Sequence, residues 1–324
     1  MGLLVKGKWH DKWYDTKTSK GEFIREDAQF RNWITPDGGP GPSGKGGFKA
    51  EAGRYHLYVS LACPWAHRTI IFRKLKGLED LIGLSVVHPD MLENGWEYKD
   101  YSGVIADSVN GVKYHHQLYT KSDPNYSGRV TVPVLWDKKT SRIINNESSE
   151  VIRMFNSSFN ELTGNKDDYY PGALQDEIDK INDRVYNNIN NGVYRAGFAT
   201  TQEAYESAFD ALFEALGKLD DTLGKQRFLV GDTLTEADWR LFTTLIRFDA
   251  VYHGHFKTNL KRIEDYPNLS EYLRELYQVP GVRETVNFDH IKRHYYVSQI
   301  TINPTQVVPK GPGIDYARPH RRGV

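Results

Sequence analysis

Alternating apolar and polar positions begin at residue 54 and predict the first regular element. In the run R-Y-H-L-Y-V-S, Tyr55, Leu57 and Val59 recur at every second position, which is the pattern of a β-strand. Isoleucines and leucines over residues 67–78 then form a helical stripe, and the apolar run L-S-V-V-H-P predicts a second strand. Strand, helix and strand in this order are typical of a parallel βαβ unit.

The next part of the chain changes from a long insert to an antiparallel hairpin. Residues 90–127 are polar and aromatic with little periodicity, and they are too long for an ordinary connection, so they predict a functional insertion. The run V-T-V-P-V-L-W-D predicts a strand that contains Pro133, and S-R-I-I-N-N predicts its returning partner. A helix that begins at Glu147 completes an α/β domain over residues 54–160.

Residues after position 170 carry only helical periodicity. Thr235 and Asp238 stand three residues apart at the start of one apolar stripe, which is the spacing of a capping box. Other helices are predicted over residues 173–191, 202–223 and 269–277. Together these elements predict an all-helical domain over residues 171–300.

Both ends of the chain lack this periodicity. Residues 1–53 contain the run D-G-G-P-G-P-S-G-K-G-G, which cannot hold a helix or a central strand, and the tail over residues 301–324 is interrupted by prolines. We expect an irregular N-terminal extension and an irregular tail. Trp9, Trp13 and Trp33 indicate that the extension is anchored to the body of the protein, because exposed rings of that size are costly.

The composition narrows the classes of function. Lysine plus arginine and aspartate plus glutamate each total 42, and this balance argues against a global electrostatic hold on nucleic acid or an anionic membrane. No run approaches the ~18 apolar residues of a membrane-spanning helix, and the first residues lack the apolar core of a secretory signal. A single cysteine excludes an intramolecular disulfide and a C-x-x-C pair. We therefore expect a cytoplasmic protein with a reduced thiol.

The one cysteine, Cys63, closes the predicted loop between the first strand and the first helix. Pro64 follows it, and proline suits the first helical position, so Cys63 is predicted at the helix N-cap. The free amides and the helix dipole at that position favour a thiolate nucleophile. The alternative is a buried cysteine that acts as a small apolar side chain.

Two further motifs point to a backbone that binds a ligand. Pro133 removes a donor from its strand, which fits either a cis bond that leaves the preceding backbone groups for a ligand or an edge strand. At E-S-S, either Ser148 or Ser149 caps the following helix, or the helix N-terminus binds a carboxylate while Glu147 binds an amine. A γ-glutamyl group offers both charges.

These motifs, in this order and spacing, resemble the glutathione-binding domain of the glutathione transferases, with cysteine in place of the serine or tyrosine of other classes. The likeness extends to Y-V-S-L-A-C-P-W-A-H-R-T, N-G-W, G-R-V-T-V-P-V-L-W-D, N-N-E-S-S-E-V-I-R-M-F-N and F-L-V-G-D-T-L-T-E-A-D-W. Across nearly the whole chain it resembles the glutathionyl-hydroquinone reductases, the Xi class. The resemblance implies a thioredoxin-like α/β domain, a helical C-terminal domain, an active site between them and a homodimer.

The resemblance also implies a mechanism in which glutathione is the co-substrate. Cys63 would attack the sulfur of a glutathionyl-hydroquinone and release the hydroquinone, and a second glutathione would resolve the mixed disulfide to oxidised glutathione. Tyr194 would exchange a proton with the quinol ring, while Tyr252 and Tyr295 would complete the aromatic site and tune the pKa of Cys63. Glutathione would be held by Trp96, Arg129, Val130, Thr131, Val132, Glu147 and Ser148.

The sequence argues against two other kinds of site, a metal centre and an acid–base residue at Asp238. His115-His116 and His253-Gly254-His255 lack the i, i+4 spacing of a zinc hydrolase, and no cysteine or clustered acid supports them, so we expect no metal. Asp238 is expected to cap its helix rather than to act as an acid or base.

Two rival functions use the same residues. The first is another cysteine-type glutathione enzyme, either a thiol transferase or a dehydroascorbate reductase, which would need Cys63 but not the three tyrosines. The second is a carrier of aromatic ligands without catalysis, whose function Cys63→Ser would leave intact.

Overall fold

The computed structural model describes residues 2–323 and divides them into two compact units. The first unit combines residues 2–13, 26–167 and 285–294, and the second combines residues 14–25, 168–284 and 295–323. Each unit therefore gathers segments that lie far apart along the chain. None of the helices in the described part of the chain combines the length and apolar character needed to cross a membrane.

The first unit is an α/β structure with two small sheets. Its strands are β1 (Leu3–Val5), β2 (Lys8–His10), β3 (Tyr55–Val59), β4 (Ile82–Val86), β5 (Gly128–Arg129), β6 (Val134–Asp137) and β7 (Arg142–Asn145). Its helices are α1 (Pro64–Leu75), α2 (His116–Ser122), α3 (Ser148–Ser157) and α4 (Asn160–Thr163). The larger sheet has the order β4-β3-β6-β7, with β4 parallel to β3 and the pairs β3–β6 and β6–β7 antiparallel.

This order confirms the predicted βαβ unit followed by a hairpin and a helix. The position of Pro133 within it differs from the prediction, because β6 begins at Val134 and the proline precedes the strand. A proline has no amide hydrogen for the ladder, so pairing starts after it. The Val132–Pro133 peptide bond is cis, which is one of the two alternatives that the sequence left open.

The sequence predicts an irregular N-terminal extension, but part of this extension is regular. Strands β1 and β2 form a hairpin around Lys6 and Gly7, whose φ values are 48° and 74°. Strand β1 also pairs with β5, where Leu3 faces Arg129. Three-residue strands are too short to be recognised by alternation, and this hairpin depends on a partner more than a hundred residues away.

The central strand β3 is buried on both faces rather than on one. The alternating positions Tyr55, Leu57 and Val59 are fully buried, and so is Tyr58 on the opposite face. The 90–127 insert provides a contact to that second face, since the Tyr58 hydroxyl donates to Asp107 Oδ1 at 2.8 Å. The insert therefore has a structural role that its sequence did not indicate.

The second unit is helical. Its helices are α5 (Gln175–Val185), α6 (Gly192–Gly197), α7 (Gln202–Leu223), α8 (Glu236–Arg247), α9 (His253–His255) and α10 (Pro267–Tyr277), while α11 (Phe288–Ser298) begins in the first unit and ends in the second. Helix α7 has the predicted bounds. The predicted helix over residues 173–191 is divided, since a π-helical turn (Tyr186–Asn190) follows α5. A second π turn, Phe248–Tyr252, follows α8.

Helix α11 is not predicted by the sequence pattern. Its sequence, F-D-H-I-K-R-H-Y-Y-V-S, holds two aliphatic residues, and its buried side is formed by Ile291, Tyr295 and polar histidines. An apolar stripe of the usual kind is absent because ring edges and hydrogen-bonded histidines replace it. Residues 301–323 contain no helix or strand, and Val324 lies outside the described residues.

Candidate active site

Cys63 occupies the N-cap of α1. Its backbone is extended, with φ −76° and ψ 123°, its carbonyl accepts the amide of His67 at 3.0 Å, and Pro64 is the first helical residue. The side chain is half-buried, and its thiol donates to the Val132 carbonyl at a sulfur–oxygen distance of 3.6 Å. The predicted position is confirmed, and it is the electrostatic position in which a helix favours a thiolate.

The segment before Pro133 is held by a buried polar network. The Thr131 carbonyl accepts from the Tyr119 hydroxyl at 2.8 Å and from His115 Nε2 at 3.0 Å. The Tyr119 hydroxyl accepts the Thr131 amide at 3.1 Å and an amide hydrogen of Asn146 at 3.2 Å. These bonds fix the backbone that leads to Val132 and hence the carbonyl that meets the Cys63 thiol.

His115 serves this network as a neutral side chain. Burial lowers the pKa of His115 to about 4, and the hydrogen bond to Thr131 opposes that shift only in part. Its Nε2 faces a carbonyl and therefore carries the proton, which leaves Nδ1 to accept from the Tyr98 hydroxyl at 2.9 Å. The sequence suggested His115 only as a weak metal ligand, and the fold uses it as a backbone support.

The first half of the 129–132 segment points elsewhere. Arg129 lies in β5, and its guanidinium donates to the carbonyls of Lys12 and Trp13 and pairs with Glu26. Val130 is buried in a hydrophobic cluster with residues of the sheet. Thr131 is half-buried, and the Val132 carbonyl accepts from the Cys63 thiol.

Glu147 rather than a serine caps α3. Its carboxylate accepts the Ser149 amide at 2.9 Å and the Ser149 hydroxyl at 2.8 Å, and its backbone is extended. Ser148 is the first helical residue, and its buried hydroxyl accepts from Arg68 at 3.4 Å. The expectation that Ser148 or Ser149 is the N-cap is therefore wrong, because the acidic side chain one position earlier reaches the orphan amide first.

Trp96 is buried in the insert and stacks on a histidine. Its exposed fraction is 5%, and its ring lies 4.7 Å from the His294 ring with an interplanar angle of 23°. The Trp96 carbonyl accepts the His115 amide at 2.9 Å, and His294 Nδ1 lies 2.9 Å from the Pro89 carbonyl. The stack and these bonds fix the orientation of the indole.

The three predicted tyrosines meet in the second unit. The Tyr295 hydroxyl lies 2.6 Å from the Tyr194 hydroxyl and 3.0 Å from the Tyr252 hydroxyl, so it joins the other two. We call these residues the tyrosine cluster. All three side chains are buried, and burial raises the pKa of Tyr252 and of Tyr295 well above the ordinary value near 10. Tyr252 and Tyr295 are therefore neutral hydroxyls over the whole neutral range.

Aromatic rings surround the tyrosine cluster. The Phe256 ring stacks on Tyr252 at 5.4 Å and meets Tyr194 edge-on at 5.6 Å. The Phe198 ring lies 5.9 Å from that of Tyr194. These contacts place the three hydroxyls in an apolar environment, where each hydrogen bond between them is stronger than it would be in water.

The comparisons with known proteins agree with this geometry. A model described as glutathione S-transferase, N-terminal domain, matches residues 62–158, and one described as glutathione S-transferase, C-terminal domain, matches residues 202–275. The chain is 58% identical to the glutathionyl-hydroquinone reductase YqjG of Escherichia coli, over 100% of this chain and 99% of that protein. It is 54% identical to the glutathionyl-hydroquinone reductase PcpF of Sphingobium chlorophenolicum, over 96% of each.

The chain belongs to the glutathionyl-hydroquinone reductases. Solved structures agree with this assignment: that of glutathione-bound YqjG superposes with a TM-score of 0.93 at 55% identity, covering 100% of this chain and 99% of that one. A Xi class glutathione transferase from Natrialba magadii gives 0.91 at 47% identity, covering 99% and 96%. The fold of this reductase is thus the predicted one, a thioredoxin-like domain with a helical C-terminal domain.

The remaining predicted positions of this reductase have structural roles. Asp238 forms the predicted capping box with Thr235 and also accepts from the Leu229 amide and the Tyr272 hydroxyl, at 2.9 and 2.8 Å. His255 Nε2 lies 2.8 Å from Gln299 Oε1. Within residues 2–323 no group of three or more histidine, cysteine, aspartate or glutamate side chains is placed to hold a metal ion.

Four side chains that contact predicted site residues lie in other segments of the chain. Tyr119 and His115 support the Thr131 backbone, His294 stacks on Trp96, and Arg25 lies over the ring of Tyr194. Each belongs to a segment distant in sequence from the residue that it contacts. No feature of the sequence distinguishes Tyr119, His294 or Arg25 from other residues of the same type.

Proposed function

We propose that this protein reduces glutathionyl-hydroquinones to hydroquinones through a Cys63–glutathione mixed disulfide, with glutathione as the reductant. The observation that carries the proposal is the Cys63 thiol at the N-cap of α1, beside the Val132 carbonyl, in a chain that is 58% identical to a glutathionyl-hydroquinone reductase. One cysteine is sufficient, because glutathione supplies the second thiol.

The chemistry balances in two exchanges. The Cys63 thiolate attacks the sulfur of the glutathionyl group; a sulfur–sulfur bond forms and the sulfur–aryl bond breaks. The electron pair of that bond passes to the ring, which takes up a proton and becomes the free hydroquinone. A second glutathione thiolate then attacks the mixed disulfide, which regenerates Cys63 and releases oxidised glutathione. The net reaction oxidises two glutathione sulfurs to a disulfide and reduces one ring carbon.

The residues around Cys63 fit the groups of glutathione. The Glu147 carboxylate suits the γ-glutamyl ammonium group, and the amides at the start of α3, including that of Ser148, suit its carboxylate. The backbone of Arg129, Val130, Thr131 and Val132 would pair with the peptide-like part, with Val132 nearest the thiol. Trp96 would cover the molecule with its indole, whose orientation His294 fixes.

The tyrosine cluster would supply the proton for the ring. Tyr194 is proposed as the donor. The Tyr295 hydroxyl lies within hydrogen-bond distance of Tyr194 and Tyr252, so it can donate a hydrogen bond to the Tyr194 oxygen after that residue has lost its proton. Burial keeps Tyr252 and Tyr295 protonated at neutral pH, so each hydroxyl has a hydrogen to donate and an oxygen that can accept. A further proposed effect of Tyr252 and Tyr295 is to tune the pKa of Cys63.

We also propose a homodimer in the cytoplasm. The support for the compartment is chemical, because the reaction needs a free thiol and reduced glutathione, and both persist where thiols are kept reduced. Light scattering of the purified protein at several concentrations tests the oligomeric state. A mass equal to that of one chain at all concentrations would contradict the proposed dimer.

The test compares wild type, Cys63→Ser and Tyr205→Phe with glutathionyl-menadiol and excess glutathione. Tyr205 is half-buried, and its hydroxyl donates to the Lys257 carbonyl. Loss of this hydroxyl controls for effects of a substitution on the fold as a whole. Wild type and Tyr205→Phe should release one oxidised glutathione per hydroquinone, while Cys63→Ser should lose at least a thousandfold in rate, because a hydroxyl does not replace a thiolate.

The alternatives give different results in the same samples. Mass spectrometry of wild type without excess glutathione should find one glutathionyl group on Cys63. A protein that reduces hydroxyethyl disulfide or dehydroascorbate but releases no hydroquinone would be a thiol transferase or dehydroascorbate reductase. A protein that binds the aromatic ligand equally well as Cys63→Ser, with no turnover, would be a carrier.

A further inference from the structure

The segment over residues 14–25 is built into the second unit. The Gly21 carbonyl accepts the Thr200 amide at 3.0 Å, and the Lys20 carbonyl accepts the Thr201 hydroxyl at 3.0 Å. Gly21 has φ +90°, and a Cβ there would lie 2.5 Å from Thr201 Oγ1, so only glycine allows this approach. The segment is therefore fixed to the loop that precedes α7.

Phe23 anchors the end of this segment among the rings near the tyrosine cluster. Its exposed fraction is 5%. Its ring meets Tyr14 edge-on at 4.7 Å, lies 5.3 Å from Phe198 and lies 6.4 Å from Tyr194. With Phe23 fixed, Arg25 two residues later is held close to the same rings.

Arg25 places a positive charge over Tyr194. Its Cζ lies 5.0 Å from the centroid of the Tyr194 ring and 5.5 Å from that of Phe23. Its Nε donates to Asn191 Oδ1 at 2.9 Å, and Asn191 stands three residues before Tyr194, at the N-cap of α6. The hydrogen bond to Asn191 thus orients the guanidinium over the face of the Tyr194 ring.

We propose that Arg25 is a positioning residue for hydroquinone release that acts through Tyr194. A guanidinium over an aromatic face is attracted to the ring, and the attraction increases when the ring carries the negative charge of a phenolate. When Tyr194 gives its proton to the ring carbon of the substrate, Arg25 and the Tyr295 hydroxyl at 2.6 Å stabilise the charge that remains. The inference rests on the function proposed above.

This role affects one of the two exchanges. Resolution of the mixed disulfide by glutathione needs Cys63 but no proton from Tyr194. Loss of Arg25 should therefore lower kcat for hydroquinone release and leave the reduction of hydroxyethyl disulfide unchanged. Because the charge develops only as the sulfur–aryl bond breaks, KM for glutathione should also stay the same.

The experiment measures both activities in wild type, Arg25→Met, Arg25→Lys and Lys17→Met. Lys17 is exposed in the same segment, so its loss removes one positive charge away from Tyr194. We expect Arg25→Met to lower kcat for release from glutathionyl-menadiol about tenfold, a change typical of a cation–π contact in a buried site. Arg25→Lys should recover part of that loss, and Lys17→Met should match wild type.

The double variant with Tyr194→Phe tests whether Arg25 acts through that residue. If it does, Arg25→Met should have no further effect on release once Tyr194 is phenylalanine. A kcat for Arg25→Met equal to that of Lys17→Met, a further loss in the Tyr194→Phe background, or an equal loss of both activities in a folded variant overturns the inference.

Two additional outcomes keep the test decisive. If Arg25→Met does not fold, Asn191→Leu replaces it, since this variant keeps the charge and removes the group that directs it; an unchanged rate of release then overturns the inference. If wild type reduces hydroxyethyl disulfide but releases no hydroquinone, the proposed function fails and the inference fails with it. An active wild type with an unaffected Arg25→Met removes the inference alone.

Discussion

The hydroxyl of Tyr295 lies within hydrogen-bond distance of two other phenol hydroxyls, 2.6 Å from that of Tyr194 and 3.0 Å from that of Tyr252. The three hydroxyls therefore form one hydrogen-bonded group. The cluster is buried among aromatic rings, so loss of the Tyr295 hydroxyl removes hydrogen bonds that water cannot easily replace. Loss of the Tyr295 hydroxyl is therefore expected to affect both Tyr194 and Tyr252.

Tyr295→Phe should lower kcat for hydroquinone release about 10- to 100-fold and leave hydroxyethyl disulfide reduction within about twofold of wild type. The change removes one oxygen and keeps the ring, so packing is preserved. Tyr296→Phe is the matched control, because this next residue of α11 contacts His255 rather than the cluster, at 4.6 Å between ring centroids. Equal losses in both variants would contradict a specific role for the cluster.

At the scale of single elements, the start of α8 is held by several hydrogen bonds to one carboxylate. The Asp238 carboxylate accepts two backbone amides on different oxygens, that of Leu229 on Oδ1 and that of Thr235 on Oδ2. The side chain is fully buried, and burial raises its pKa although these bonds lower it. Asp238 therefore fixes the loop before α8 as well as the helix.

Asp238→Asn should destabilise the protein by about 2–4 kcal/mol, although it preserves the shape of the side chain. An amide has one acceptor oxygen, so one of the two backbone amides would face an NH₂ group. Chemical unfolding followed by circular dichroism measures the change. Asp232→Asn, an exposed position in the same loop, should stay within about 0.5 kcal/mol of wild type; a similar loss there would contradict the capping argument.

On the scale of the whole molecule, a long insert becomes part of the core of the first unit. Asp107 organises it, since one carboxylate accepts from the Tyr58 hydroxyl and from the amides of Val109, Asn110 and Val112. Burial acts to raise the pKa of Asp107, but these hydrogen bonds outweigh it and the net shift is downward. A lowered pKa means that the ionised form stabilises the folded state.

The sign of this shift sets a pH dependence. The contribution of Asp107 is fully present above its unfolded pKa of about 4 and is lost as pH falls through the lower pKa of the folded protein. Asp107→Asn should cost about 2–3 kcal/mol at pH 7, and the difference from wild type should shrink below pH 4. Urea unfolding at several pH values tests this, with exposed Asp100→Asn as the control. A difference that is constant with pH would contradict it.

Much of the fold follows from local patterns in the sequence. Strand β3, the β6–β7 hairpin, helix α7 and the capping box at Thr235 were predicted because each has a periodicity or a spacing within a few residues. The N-terminal hairpin and α11 were not predicted, since β1 needs β5 as its partner and α11 is buried through histidines and a tyrosine. Periodicity and spacing within a few residues do not reveal partners that are so distant in sequence.

The sequence by itself determined the position of Cys63. Proline suits the first helical residue, so a cysteine followed by proline between a predicted strand and a predicted helix indicates an N-cap, and that position favours a thiolate. Tertiary structure decided which remote side chains contact the other predicted residues. The stack of His294 on Trp96 and the charge of Arg25 over Tyr194 depend on distances between segments. Helix and strand propensities act over neighbouring residues, whereas hydrogen bonds and ring contacts depend on where the folded chain brings remote residues together.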